Sequence, residues 1–382
     1  MSFAEDLANL NAYYFFKEFV YSANTFAPAP GEEVELADSL MWLGDTLIAF
    51  QLKERAAVQD ATIETEKRWF EQKILRKGTH QVRDTVKYLG ANPEISLKNH
   101  RGDTLQLSFE KIKQFHKLVV YHPHALLPID YRWIKHHRSK TAGIIHIISS
   151  EDYLGIVQTM ATPAEVAEYL DFREILIDRW GNEIHELPEQ ALAGQFLRGA
   201  FDEKPDARFI EFLQRLRDDA NEWDMSGVIS VFPAKVTPGG EPADYYPIVQ
   251  EMAALKRTEL CEFKKRFQLS VEKAKADAFT IPYRMATPRT GCGFAFIPLT
   301  ADAVEHKRNA LINITCALKY EQRLDKCIGI AISNDPKGWV MVDWLYMEHA
   351  WQANAELDQL LAENNPFREA KVRELPGYDF GE

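Results

Sequence analysis

The chain has 382 residues, 46% apolar and 27% charged, the balance of a globular protein rather than a fibrous or disordered one, and its length predicts two or three domains. Its longest apolar runs, such as 143–148 and 292–299, fall far short of the ~18 residues that cross a bilayer, and residues 1–6 form neither a basic nor an apolar leader, so no membrane partner is expected. The net charge of −12 argues against a nucleic-acid partner until its distribution is read: residues 61–140 hold 16 Lys and Arg against 8 Asp and Glu, a net of +8, while 1–60 carry −7 and 141–382 carry −13.

Residues 4–20 predict a helix, with Leu7, Leu10, Tyr14 and Phe19 as its apolar stripe and Asp6 in its first turn. The run Ala-Pro-Ala-Pro-Gly at 27–31 breaks the chain. Residues 34–42 and 46–53 predict two strands joined by Gly44-Asp45, and Gly at the first central position is the signal of a type II′ hairpin. Residues 62–89 predict a long helix whose inner side carries Phe70, Ile74, Val82, Val86 and Leu89, weakened locally by Gly78. A polar hairpin is expected over 94–108, buried strands at 118–122 and 143–149 with an irregular basic segment between them, and helices at 150–160 and 163–177.

Beyond Trp180 the pattern predicts helices near 188–200, 206–222, 244–276 and 302–322, and strands near 227–232, 293–299, 326–333 and 339–346, with loops at 233–242 and 287–293. The expected division is therefore a first α/β domain over 1–180 and a second α/β domain over 181–382, without internal repeats.

Cys261, Cys292, Cys316 and Cys327 include no pair two or three residues apart, which excludes a zinc ribbon or redox pair and suggests a reducing, cytoplasmic setting. The pairs His122/His124 and His136/His137 fit no zinc spacing. Tyr131, Arg132 and Trp133 in the basic segment could stack on bases. There is no G-x-S-x-G, Walker A or H-E-x-x-H sequence, and Gly291-Cys292-Gly293 comes with no recognisable base.

The chemistry concentrates in the first hairpin. Side chains alternate across a strand, so Val34, Leu36, Asp38, Leu40 and Trp42 share one face, on which Asp38 is the only charge. A buried carboxylate needs a partner, a proton or a metal. With the turn on Gly44 and Asp45, Leu43 faces Thr46, Asp38 faces Gln51 with Cβ atoms about 5 Å apart, and Leu36 faces Lys53. One face then gathers a carboxylate, an amide and an ammonium among Leu40, Trp42, Leu47 and Ala49. The same register sends Glu35 to the opposite face, beside Glu54. A buried ion pair completed by the amide is the structural alternative.

An acid on one strand followed by Gln51-Leu52-Lys53 on the next, after an acidic helix and before a long one, resembles the PD-(D/E)xK nuclease superfamily, and the Gln form is similar to its Mrr-type restriction endonuclease branch. The resemblance covers at most residues 4–150. It implies a restriction-endonuclease-like αβββαβ core, metal-dependent hydrolysis of phosphodiesters with Mg²⁺ or Mn²⁺, DNA more than RNA as substrate, a homodimer for double-strand cutting, and a role in restriction or defence. Asp38 would bind the metal with the Gln51 amide oxygen and the Leu52 backbone carbonyl. Lys53 would orient the attacking water, and Glu18 would be the helix-borne acid. Lys73, Lys77 and Gln81 of the long helix would contact nucleic acid. Gln51 in place of an acid removes one negative charge, so a nuclease fold that binds nucleic acid or protein without cutting is the alternative.

Overall fold

Helix α1 (Phe3–Tyr14) ends well before residue 20. Phe16 adopts φ 65°, in the left-handed region, and the chain turns there into β1 (Val20–Ser22). This computed structural model describes residues 3–22, 24–26, 34–55, 61–234, 241, 243–335, 337–369, 371–374, 377–378 and 380. The expected break at 27–31 and most of the loop at 233–242 lie outside them. Two short strands, β2 (Thr25–Phe26) and β3 (Val34–Glu35), pair with each other.

The strand expected over 34–42 is two separate pieces. Leu36 and Ala37 leave the extended ladder to bury themselves in the core, with Leu36 N bonded to Asn24 O and Leu36 O accepting from Thr85. The ladder resumes only at β4 (Ser39–Leu43). From there the hairpin with β5 (Thr46–Lys53) has the expected register, Leu43 opposite Thr46 and Ser39 opposite Phe50. Gly44 has φ 61° while Asp45 stays at negative φ, the signature of a type II′ turn.

From β5 the chain crosses the sheet in one helical run. It comprises α2 (Ile63–Trp69), capped by Thr62 in a capping box with Thr65, a π-helical stretch (Phe70–Gly78) and α3 (Thr79–Ala91). Gly78 allows the close approach, since a Cβ there would stand 2.9 Å from Val119 Cγ1. The hairpin β6 (Glu94–Lys98) and β7 (Thr104–Ser108) follows as expected. Next come β8 (Gln114–Tyr121), the short α4 (Ile129–Arg132), β9 (His136–Ser139) and β10 (Gly143–Ser149). The main sheet has the order β1-β4-β5-β8-β10-β9. Strands β1, β4 and β5 form an antiparallel meander, β5, β8 and β10 run parallel, and β9 is antiparallel.

Alternation divides the sheet's side chains between two layers. Leu40, Leu47 and Ala49 share a cluster with Leu89 of α3, while Val119, Tyr121, Ile145 and Ile147 pack against Phe70, Ile74 and Val82 of the crossover. Each fully buried Leu, Val, Ile or Phe among them stabilises the fold by about 1.5–3 kcal/mol. On the other face Phe50 meets Tyr153 of α5 (Ser150–Met160), and α6 (Pro163–Trp180) follows α5.

The first unit does not end at residue 180. In α7 (Glu189–Arg198), Glu189 forms a buried ion pair with Arg173 of α6, and Phe196 packs on Tyr169 and Phe172. Helix α8 (Ile210–Arg215) follows, and the unit comprises residues 1–217 with 377–382, the second being 218–376. The second unit contains α9 (Ala220–Trp223), α10 (Ser226–Ile229), α11 (Tyr246–Ala253) and α12 (Arg257–Lys275). These precede β11 (Tyr283–Thr287), β12 (Cys292–Pro298), α13 (Lys307–Glu321), β13 (Lys326–Asn334), β14 (Val340–Glu348) and α14 (Ala355–Glu363), with the sheet in the order β11-β12-β13-β14. The run 227–232, expected as a strand, is helical turns. Strand propensity acts through cross-strand neighbours, and among the described residues no strand pairs with this run. Among the described residues no helix is long and apolar enough to cross a membrane.

Candidate functional site

Asp38 stands in the bend just before β4, and its carboxylate reaches across to β5. Oδ2 accepts the Leu52 amide at 2.5 Å, where an amide would otherwise meet a continuing strand, and lies 3.4 Å from Lys53 Nζ. Lys53 Nζ also donates to the Leu52 carbonyl at 2.8 Å. The ion pair is long, and its side chains are 23% exposed for Asp38 and 13% for Lys53, so the pair is open to one side.

Gln51 projects from the same face as Lys53, beside Val119 of β8. It is buried, and its Oε1 has no hydrogen-bond partner among the described residues. Leaving a buried acceptor unmatched costs about 1–3 kcal/mol, and a cation would relieve that cost. The Asp38 carboxylate and this oxygen are hard donors of the kind Mg²⁺ takes. The Leu52 carbonyl fits less well while the Lys53 ammonium occupies it.

Glu35 belongs to this neighbourhood, not to the far face beside Glu54. Strict alternation required a continuous strand through residues 36–38, and there is none. Burial raises the Glu35 carboxyl above its ordinary range, the Asp38 charge raises it further, and Lys53 opposes both. Burial lowers the Lys53 ammonium below the usual lysine range. Asp38 counters this, and Lys77 of the crossover lowers it again.

Lys73, Lys77 and Gln81 lie together on the crossover with Gln72, Arg76 and His80, lining an open pocket of about 520 Å³. Lys73, Arg76, Lys77, His80 and Gln81 recur at spacings of three and four, one helical stripe, with Gln72 beside it. The Gln81 side-chain oxygen is also buried without a partner among the described residues.

Glu18 is elsewhere. It sits in the turn after α1, and the register of β1 on β4 (Val20 opposite Met41, Ser22 opposite Ser39) puts it at the Gly44 end of β4. Asp38 is at the other end, about 17 Å of extended chain away. The Glu18 carboxylate is buried and paired with Arg101 at 2.8 Å. The helix that was to present it ends at Tyr14.

The basic segment between β8 and β10 is tied into the fold. Arg132 donates to the carbonyls of Leu127, His124 and Ala125, and the Tyr131 hydroxyl donates to Glu71. In the second unit, burial drives the Cys292 thiol far above its ordinary pKa, which removes it as a nucleophile.

Comparison with known protein families, with characterised proteins and with solved structures returns no match. A functional reading therefore stands on the residues and their geometry.

Proposed function

We propose that this protein is a metal-dependent nuclease of the PD-(D/E)xK kind, hydrolysing phosphodiester bonds in DNA. The observation that carries the reading is Gln51 Oε1, a buried acceptor left unmatched two residues before Lys53 on one face of β5, the strand end that also carries the loose Asp38–Lys53 pair. The order of elements supports it: α1, the β1-β4-β5 meander, the helical crossover and the parallel strand β8 follow the αβββαβ sequence that the resemblance implies.

In this reading Asp38 and Gln51 hold Mg²⁺ or Mn²⁺, and Glu35 adds negative charge nearby. The ion supplies a water of lowered pKa and offsets charge on the phosphoryl oxygens. Lys53 leaves the Leu52 carbonyl to orient the attacking water, and its charge stands where the transition state becomes most negative. Lys73, Arg76 and Lys77 hold the nucleic-acid backbone, which makes binding fall steeply with salt. Cutting both strands calls for two such sites, hence a homodimer. A role in restriction or defence follows from the resemblance alone.

A second reading has its own support. Asp38 Oδ2, the Leu52 amide and carbonyl, and Lys53 form a closed set of contacts, which suits a nuclease fold that binds nucleic acid or protein without cutting. Incubating supercoiled plasmid with the full chain separates the two. Nicking that needs Mg²⁺ or Mn²⁺ and disappears in Lys53→Ala with unchanged circular dichroism supports the nuclease. Salt-sensitive binding with no cutting in either metal supports the alternative.

A further inference from the structure

On the opposite face of the first sheet, His116 of β8 and His146 of β10 converge on Glu174 of α6. The parallel register sets His146 beside Leu118, so the two imidazoles stand one step apart on the same face of neighbouring strands, with ring centroids 6.2 Å apart. Both are buried, at 2% and 0% exposure. His116 Nδ1 is 3.5 Å and His146 Nε2 3.4 Å from the same oxygen, Glu174 Oε1. Among the described residues neither ring nitrogen of His116 makes a hydrogen bond, and neither does His146 Nε2. Native interiors leave few polar atoms in that condition.

The distances point to a cause. They exceed the roughly 2.7–3.2 Å of an N–H···O bond. They match the edge of a tetrahedron with corners about 2.0–2.1 Å from its centre, roughly 3.3–3.4 Å, which are the Zn–N and Zn–O lengths. One donor atom from each of the three residues lies within 4.8 Å of the other two.

Outer contacts fix the rings. His116 Nε2 faces Asp171 at 3.5 Å, Asp171 is held by Gln114 at 2.9 Å, and Gln114 accepts from Thr46 at 2.8 Å. His146 Nδ1 meets Arg173 at 3.0 Å, and Arg173 is anchored on Glu189. The Asp171 carboxylate facing His116 Nε2 is the kind of outer partner that orients a metal-binding histidine, whereas Arg173 is a donor and makes His146 Nδ1 the acceptor.

We propose that His116, His146 and Glu174 form a binding site for one Zn²⁺ ion, separate from the Asp38–Lys53 site on the other face of the sheet. Two imidazole nitrogens and one carboxylate suit a first-row transition ion and not Mg²⁺, which takes oxygen donors. Three protein ligands leave a fourth position, and of the three Glu174 is the one that reaches solvent, at 32% exposure. With Arg173 donating to Nδ1, the proton of neutral His146 sits on Nε2. Nε2 becomes a ligand only when that proton leaves to solvent; the ion then takes the lone pair so freed, and the adjacent guanidinium offsets the negative charge of the resulting imidazolate.

The test uses the full chain stripped with chelator, dialysed against Zn²⁺ and assayed for bound metal by mass spectrometry. One ion per chain is expected, with a melting temperature raised by roughly 5–10 °C once free ion exceeds its dissociation constant about a hundredfold. Both effects are expected to vanish in Glu174→Gln and to persist in Asp38→Asn. The wild-type chain loaded with Co²⁺ should show the intense visible bands of a tetrahedral site. No retained ion, equal retention by Glu174→Gln, or an octahedral Co²⁺ spectrum in the wild type would each overturn the site, the last without any variant having to fold.

Discussion

The Asp38 carboxylate accepts the Leu52 amide at 2.5 Å, at the point where β4 begins and β5 continues past it. One side chain thus closes the hairpin ladder and pairs with the Lys53 ammonium, so substitutions at Asp38 mix structural and chemical effects. Two variants separate them. Asp38→Ala removes an ionised acceptor and is expected to lower stability by about 1.5–3 kcal/mol. Asp38→Asn keeps an acceptor for Leu52 and should lose less than half of that. If Asp38 holds the metal, both lose plasmid nicking. Urea unfolding beside the cleavage assay makes the comparison, and nicking retained by Asp38→Asn would remove Asp38 from the chemistry.

Gln51 gives the opposite balance. Its buried Oε1 is unmatched, so Gln51→Leu removes a desolvated acceptor and is expected to leave stability equal or higher by up to about 1 kcal/mol while abolishing cleavage. Gln51→Glu restores a second negative charge next to Asp38 and should shift the Mg²⁺ titration of cleavage to lower concentration. A Gln51→Leu variant that is strongly destabilised would mean the amide is matched in solution and is not waiting for a cation.

Glu18 distinguishes the sequence reading from the geometry. Arg101→Met takes one charged partner from a buried carboxylate and is expected to cost about 1.5–3 kcal/mol in thermal or urea unfolding. Metal dependence of cleavage, measured below the unfolding transition, should be unchanged. A shift in the Mg²⁺ titration would return Glu18 to the site.

The hairpin register was legible because local rules agreed: Gly44 set the turn, the turn set the pairing, and Leu40, Leu47 and Ala49 had to face the core. The crossover was legible from its apolar period. Legibility failed where tertiary contacts override local pattern. Phe16 turns the chain at positive φ, a conformation no sequence rule assigns to phenylalanine, and so Glu18 left its helix. Leu36 and Ala37 are buried outside any strand, which frees Asp38 and Glu35 from strict alternation. His116 and His146 are 30 residues apart in the numbering, and Glu174 follows on a helix, so no spacing rule could group them; only the parallel register does.

The first unit should also lose stability in acid through a histidine pair. His185 Nε2 and His136 Nδ1 lie 3.0 Å apart, so one ring donates to the other while both are neutral. Burial pulls His136 down to about 3, with the neighbouring His185 and Arg138 adding to it. Burial pulls His185 down to about 4, aided by Lys135 and Arg173. Both folded values lie below the ~6.5 of an unfolded histidine, so between about pH 4 and 6.5 the unfolded chain binds more protons. The stability is full above pH 6.5 and is lost as the pH falls toward 4. His185→Gln offers an amide donor to His136 and removes one titrating ring. Its urea midpoint should fall less steeply over that window, by at most about 1.4 kcal/mol per pH unit and less after solvent screening of the half-buried His185. Measured in chelator, so that no bound ion contributes, parallel wild-type and His185→Gln curves down to pH 4 would show that the pair carries none of the acid sensitivity.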